Sequence, residues 1–449
     1  MKLNYLSFIF LLNFGVVYSQ VSKSDFVFTI ETSNPGISNF SSFHLNLSQV
    51  NVNYLVDIDW NNNGVFDTLG VTNSITHDYG TTGRYTIRLK GQFPKLQLGN
   101  YKTNVSDRSK LISVDQWGTQ SWSDVSLMFI NCDSLLTTSI DTPDFSGIWT
   151  LGSMFAGALK FNGPINHWDI STVTTTNVMF YGAESFNQPL NNWDVSSVQF
   201  ASRMFTNAKS FNSSVRGWNW ASAIDFSYMF EGASSFNQSI NTWIIPACTS
   251  LHSMFLGATN YNQPMDSLDV SNVIDFSRMF ENASSFNQNL SNCDFSNSAG
   301  ARWFLDNSNM SVTNYDALLN SWFVNYSNRN LNVGSIGLAY CNSDSLRSVL
   351  VSQGWFFNGD TLNCLTTSVN NDFEYLKEFK VYPNPVSHFL NIDSDEKIQE
   401  PIFVYNQIGE LVIQIGNLID SKQIDVSNFP NGIYFIRKGS QFEKVVIQH

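Results

Sequence analysis

Positive charge is scarce in this 449-residue chain, where 24 Lys and Arg stand against 37 Asp and Glu for a formal net charge of −13. No basic cluster offers a local exception, so a phosphate backbone would be repelled and nucleic acid is excluded as a partner. Histidine is also rare. The six, at 44, 77, 167, 252, 388 and 449, include no pair at zinc-ligand spacing and no neighbouring nucleophile. Neither a Gly-x-Ser-x-Gly elbow nor a phosphate-binding loop is present. Long apolar runs are missing beyond the start of the chain, so no membrane-spanning segment is expected. The one early run, Leu6 to Val17 after Lys2 and before Ser19 and Gln20, predicts a secretory signal peptide over 1–19. No cysteine lies near its cleavage point, which argues against a lipoprotein anchor.

Phenylalanine, by contrast, is abundant, with 37 residues, and its placement is periodic. The dipeptide Met-Phe recurs at Met128, Met154, Met179, Met204, Met229, Met254 and Met279, with a first step of 26 residues and every later one of 25. Such a period is too short for an independent domain and too long for one strand. Each unit must therefore be a coil that buries its apolar face against its neighbours. Apolar residues at Leu151, Met154, Phe155 and Ala158, and again at Phe226, Met229, Phe230 and Ala233, have the i, i+3, i+4, i+7 spacing of one helical face. Gly or Asn follows, as at Gly157, Gly182 and Asn207, and would end that helix. An aromatic-Asn pair comes next, such as Phe186-Asn187 or Phe236-Asn237, then a column of Trp168, Trp193, Trp218 and Trp243. The Asn column is expected to satisfy backbone groups between coils, since its amide both donates and accepts. Each unit thus predicts one short helix, one short strand and turns.

The run of Met-Phe, Gly-Ala, Phe-Asn-Gln-Pro-Leu and Trp-Asp-Val-Ser, complete from Met179 to Ser196, resembles the BspA-like bacterial surface protein repeats. That resemblance covers 127 to about 310 and implies a secreted or cell-surface protein that serves in adhesion or protein binding. The expected fold is multidomain: an N-terminal β-sandwich, a central leucine-rich-repeat-like α/β solenoid of short helices and short strands, and a C-terminal β-sandwich. Residues 20–115 alternate in the manner of strands, and His77-Asp78-Tyr79-Gly80 with Gly83-Arg84-Tyr85-Thr86-Ile87 is similar to the end of PKD-like domains. The array is placed at 116–310, with a C-terminal cap at 311–365 that could instead be a separate small module. A linker at 366–376 and a last domain at 377–449 follow.

That last domain carries Tyr382-Pro383-Asn384-Pro385, then Gly409 in Asn-Gln-Ile-Gly-Glu, then Gly432 and Tyr434 in Pro-Asn-Gly-Ile-Tyr. On physical grounds these are Gly-centred hairpins of a small antiparallel domain. In this order they resemble the type IX secretion C-terminal sorting domain of Bacteroidetes, which implies recognition by that export machinery and a destination outside the cell or on the outer-membrane surface.

Five cysteines leave at least one unpaired. Cys132, Cys248 and Cys293 occupy small or apolar slots of the repeat and are expected to be buried thiols, whereas Cys341 and Cys364 lie outside it and are expected to form a disulfide. Asp59, Asn61, Asn63 and Asp67 around Gly64 supply oxygens in the manner of a calcium loop, although Gly70 stands where an EF-hand needs Glu. An Asn-Asn-Gly hairpin turn explains the same residues without metal. No other cofactor is expected. Two functions remain in play: a non-catalytic interaction protein that binds a protein or glycan, and a glycan-acting hydrolase using carboxylates from different coils. For the first, specificity would reside on outward columns that vary between coils, as at Lys160, Glu184, Lys209, Ser234, Thr259 and Ser284.

Overall fold

The computed structural model describes residues 22–47, 52–102, 106–326, 329–364, 380–393, 401–407, 409–415, 423–438 and 441–449. The signal-peptide segment 1–19 and the linker 366–376 lie outside them.

The short helices expected in every repeat do not form, and the α/β solenoid of helices is not what this chain builds. Among the described residues there are two α-helices, α1 (Val312–Tyr326) and α2 (Asp344–Ser352), and both follow the repeats. Within a coil, backbone donors alternate in direction. Leu151, Ser153, Phe155 and Gly157 donate to Thr175, Asn177, Met179 and Tyr181 of the next coil at 2.6–3.0 Å, while Met154, Ala156 and Ala158 donate three residues back in their own coil. A helix would need every N–H to reach four residues back. The residue before each Met prevents this by adopting a left-handed backbone, as at Ser153, Val178, Arg203 and Tyr228 with φ of 56° to 63°. None of these is glycine. Each such position costs about 1–2 kcal/mol in isolation, an expense that the cross-coil hydrogen bonds offset. Successive turns curl the chain inward at i, i+3, i+4 and i+7 much as a helix does, so the apolar spacing is common to both. The expected strand shrinks to single parallel bridges linking Thr150, Thr175, Phe200, Asp225, Ser250, Asp275 and Gly300 in series.

Like side chains stack from coil to coil. Phe155, Phe180, Phe205, Phe230, Phe255 and Phe280 form a buried column with successive ring centroids 5.4–5.7 Å apart and nearly parallel planes. A second column from Phe161 to Phe286 lies against it, 3.8–4.1 Å away within each coil. The Trp indoles at 193, 218 and 243 donate to Ile165, Leu190 and Val215 of the preceding coil. The Asn column forms a continuous ladder, in which Asn162, Asn187, Asn212, Asn237 and Asn262 each accept, through Oδ1, the backbone N–H of the next Asn at 2.8–2.9 Å.

Among the described residues seven strands precede the array: β1 (Phe26–Glu31), β2 (Ser42–Leu45), β3 (Leu55–Asp59), β4 (Thr68–Val71), β5 (Ile75–Asp78), β6 (Arg84–Gln92) and β7 (Leu111–Gln116). Their order is β4-β3-β6-β1-β7 in one antiparallel sheet and β2-β5 in a second. Phe26 meets Trp117 and Trp122 at the handover, so the core runs without a break into the first coil. There Leu98, Gly99 and Asn100 donate N–H groups to Met128 and Ile130. At the other end α1 buries Tyr315, Leu318, Leu319 and Trp322. Trp322 packs on Phe295, and Ser311 N–H takes the last rung of the Asn ladder on Asn287. Leu305 and Asn307 of the final coil donate to Gly334, in β8 (Asn332–Gly334), and to Ile336.

Strands β9 (Ala339–Tyr340), β10 (Phe356–Asn358) and β11 (Thr361–Leu362) complete this segment, β8 pairing with β10 and β9 with β11, both parallel. The C-terminal part comprises β12 (Lys380–Tyr382), β13 (Phe389–Asp393), β14 (Ile402–Asn406), β15 (Leu411–Ile415), β16 (Gln423–Asp425), β17 (Gly432–Lys438) and β18 (Gln441–Ile447). They form two antiparallel sheets, ordered β12-β13-β16 and β15-β14-β17-β18.

Candidate binding face

Burial of the Met and Phe columns leaves two neighbouring columns pointing outward. One is the left-handed position before Met, which carries Val178, Arg203, Tyr228 and Arg278; the other is the residue after Phe, which carries Tyr181, Glu231 and Glu281. Their side chains meet across coils. Arg203 lies over the Tyr228 ring with its guanidinium carbon 3.9 Å from the centroid and reaches Glu231 at 3.9 Å. Arg278 pairs with Glu281 at 2.6 Å and sits 5.7 Å over the Trp303 ring. Between these pairs, His252 places Nδ1 3.2 Å from Asp275 and Nε2 3.1 Å from the Tyr228 hydroxyl. Burial pushes the Glu231 carboxyl above the ordinary range even though Arg203, Arg278 and His252 pull it down.

Toward the N-terminal end the same face hollows into a cleft of ≈ 570 Å³ lined by Leu159, Val178, Tyr181, Glu184, Asn207 and Lys209, among others. Lys209 Nζ donates to Glu184 Oε1 at 2.7 Å across two coils. Leu159, not Lys160, stands in register with Glu184 and Lys209, because a 25-residue step back from 184 ends at 159. Tyr181 is 39% exposed.

The recurring aspartates behave differently. Asp169, Asp194 and Asp269 accept the backbone N–H of the residue two positions on, and the Ser hydroxyl and that N–H hold their carboxyls below the ordinary value. They are turn formers.

Around the proposed calcium residues, the Asp59 carboxylate is buried and accepts N–H groups of Asn61, Asn63 and Gly64, while Asp67 accepts that of Trp60. Asn61 and Asn63 side chains accept the N–H groups of Asn63 and Val65. These hydrogen bonds close the turn. No group of three or more His, Cys, Asp or Glu that could hold a metal occurs among the described residues. Cys341 and Cys364 form a disulfide, and the Asp316 carboxylate accepts the N–H groups of Cys341, Asn342 and Ser343 beside it. Cys132, Cys248 and Cys293 are buried free thiols.

In the last domain, Asn384 bridges to β18, its amide donating to Lys444 O and its Oδ1 accepting Val446 N–H, both at 2.8 Å. Residues 380–448 match the family described as "Secretion system C-terminal sorting domain". The tail is a secretion sorting domain. It marks the chain for type IX export, to the cell surface or beyond it, and for contact with that machinery. The sorting-domain motif residues lie in the strands and turns of its two sheets. Tyr382 ends β12 and is half exposed, with Pro383 and Pro385 in the bend that follows. Gly409 makes the β14–β15 turn at φ 81°, Gly432 opens β17, and the buried Tyr434 donates its hydroxyl to Pro430 O at 2.9 Å.

The repeats match the family described as "Mycoplasma protein of unknown function, DUF285" over residues 123–243 and 202–322. A 70-residue stretch is 30% identical to Beta-agarase A of Zobellia galactanivorans, covering 15% of this chain and 13% of that protein. No solved structure matches. No helix among the described residues is long and apolar enough to cross a membrane.

The outward cluster was not singled out by sequence reasoning. Of its members, Glu184, Lys209 and His252 fall on columns that vary between coils, whereas Tyr181, Arg203 and Glu231 are isolated residues there, one per coil. The only signal available was their fixed offset from Met-Phe, which becomes informative once the column is known to face outward.

Proposed function

We propose that this exported protein is a non-catalytic binding scaffold for a protein or glycan partner, built on BspA-like repeats behind a PKD-like N-terminal module. One observation carries the reading. Coils that are nearly identical inside differ along an outward face, where Tyr181, Arg203, Tyr228, Glu231 and Arg278 line up in series with a cleft. A fixed scaffold with variable outward columns is the arrangement of repeat proteins that bind through an extended surface. A cell-binding assay of the full chain tests it: replacing Tyr181, Arg203 and Tyr228 by Ala should remove most binding, and unchanged binding would reject this face.

A second reading, a glycan-acting hydrolase, is favoured by the half-buried Glu231 carboxyl, which burial shifts in the direction a general acid needs, on the strip that also carries the His252–Asp275 contact. Release of new reducing ends from a linear glycan, lost on Glu231→Gln, would establish it in place of the first.

A further inference from the structure

We propose that the cleft beside Tyr181, together with the strip of paired charges that continues it to Glu281, binds a linear, uncharged oligosaccharide. This rests on the binding-scaffold reading and names the ligand class.

The first argument is charge. Lys209, Arg203 and Arg278 on this face each stand against a glutamate, Glu184 at 2.7 Å, Glu231 at 3.9 Å and Glu281 at 2.6 Å. A polyanion such as a sulfated glycan would meet three cations already neutralised and three carboxylates to repel it. A polycation would face the converse. Paired charges instead offer, side by side, donors on Arg or Lys and acceptors on Glu, the two roles that every sugar hydroxyl combines. His252 between Asp275 and Tyr228 adds a further donor-acceptor set on the same strip.

The second argument is shape. The cleft, at ≈ 570 Å³, lies within the range of small-ligand sites. Its wall combines the exposed Tyr181 ring and Leu159 with the Glu184–Lys209 pair. The C–H face of a pyranose carries a weakly positive edge that suits the negative face of an aromatic ring. Glycine at 182 keeps the floor low, since a side chain there would project from a left-handed backbone at φ 65° with only Gly157 backbone near it.

The third argument is spacing. Equivalent side chains recur from coil to coil at short intervals, 5.4–5.7 Å between the centroids of stacked Phe rings, comparable to the length of one sugar in an extended chain. From Tyr181 to Glu281 is four coil steps of 25 residues, so an oligosaccharide of several units can engage the ring at one end and the Arg278–Glu281 pair at the other.

Isothermal titration of the full chain with cellohexaose, laminarihexaose and mannohexaose tests the proposal, with heparin as the anionic control. At least one hexaose should bind. Tyr181→Ala should weaken it by about tenfold or more, and Tyr181→Phe by no more than about twofold, because the ring face rather than the hydroxyl carries the contact. Arg278→Ala should weaken the hexaose while leaving the disaccharide of the same linkage unaffected. Absence of binding by all three, equal binding by Tyr181→Ala, or tighter binding of heparin would each overturn the proposal. If hexaoses fail while the full chain still binds cells through Tyr181, the glycan assignment falls and the scaffold reading survives. Reducing ends released from a bound hexaose would leave this site standing and sink the non-catalytic reading.

Discussion

The repeat array and the sorting domain reach stability by opposite routes. In the array each rung repeats: a Phe stacks on a Phe, an Asn accepts from an Asn, and the loss of one rung is felt by two neighbours. The sorting domain uses each device once, with one Asn384 tying the β12–β13 bend to β18 and one Tyr434 closing its corner. Repetition frees the outward columns to vary because the inner ones suffice to hold the coil.

The sharpest test of this division removes one side of it. A chain lacking residues 380–448 should fail to be secreted in its native host; full secretion would reject the export assignment. Next in size, Phe230→Ala empties a fully buried position between two stacked rings and should cost about 3–5 kcal/mol in denaturant unfolding, with no effect on export signal recognition. Asn237→Ala removes the acceptor for Asn262 N–H and should cost about 1–3 kcal/mol. A loss below the scatter of the measurement would show that the ladder is decoration.

The smallest effect concerns pH. Asp169, Asp194 and Asp269 have folded values depressed below the ordinary 3.8, so their contribution is present above that value and is lost as pH falls through the folded values. The array's thermal midpoint should therefore hold down to about pH 4 and decline below it. Asp→Asn at all three should blunt the decline. The raised Glu231 acts with the opposite sign, because its proton is held more tightly in the folded chain and protonation favours folding.

Much of the array was legible because stacking forces identity: Phe, Asn and Trp must recur where they touch their own kind. What escaped was the local conformation. Leu151, Met154, Phe155 and Ala158 satisfy a helical spacing, but Ser153 and its counterparts Val178, Arg203 and Tyr228 take a left-handed backbone that their side chains do not advertise. A glycine there would have given it away. The binding face was hidden for the complementary reason, since Arg203, Tyr228, Glu231 and His252 acquire meaning only when coils are superposed and their side chains meet. In the tail, by contrast, Asn384, Gly409 and Gly432 mark their turns openly, since each is a residue type that the local backbone needs.

The alternating backbone donors give the array a direction. Along the Met-Phe arc each coil hands its N–H groups to the coil after it, so that arc of the first coil presents carbonyls and that of the last presents donors, whereas Thr174, Gln199 and Ile224 donate back to the coil before. Leu98, Gly99 and Asn100 meet the first need, and Gly334 with Ile336 meets the last. Along this arc the two end pieces are thus plug and socket. Between them, a duplicated or deleted coil leaves both junctions intact, so the reach of the molecule can lengthen or shorten by whole units while its ends stay sealed against other chains.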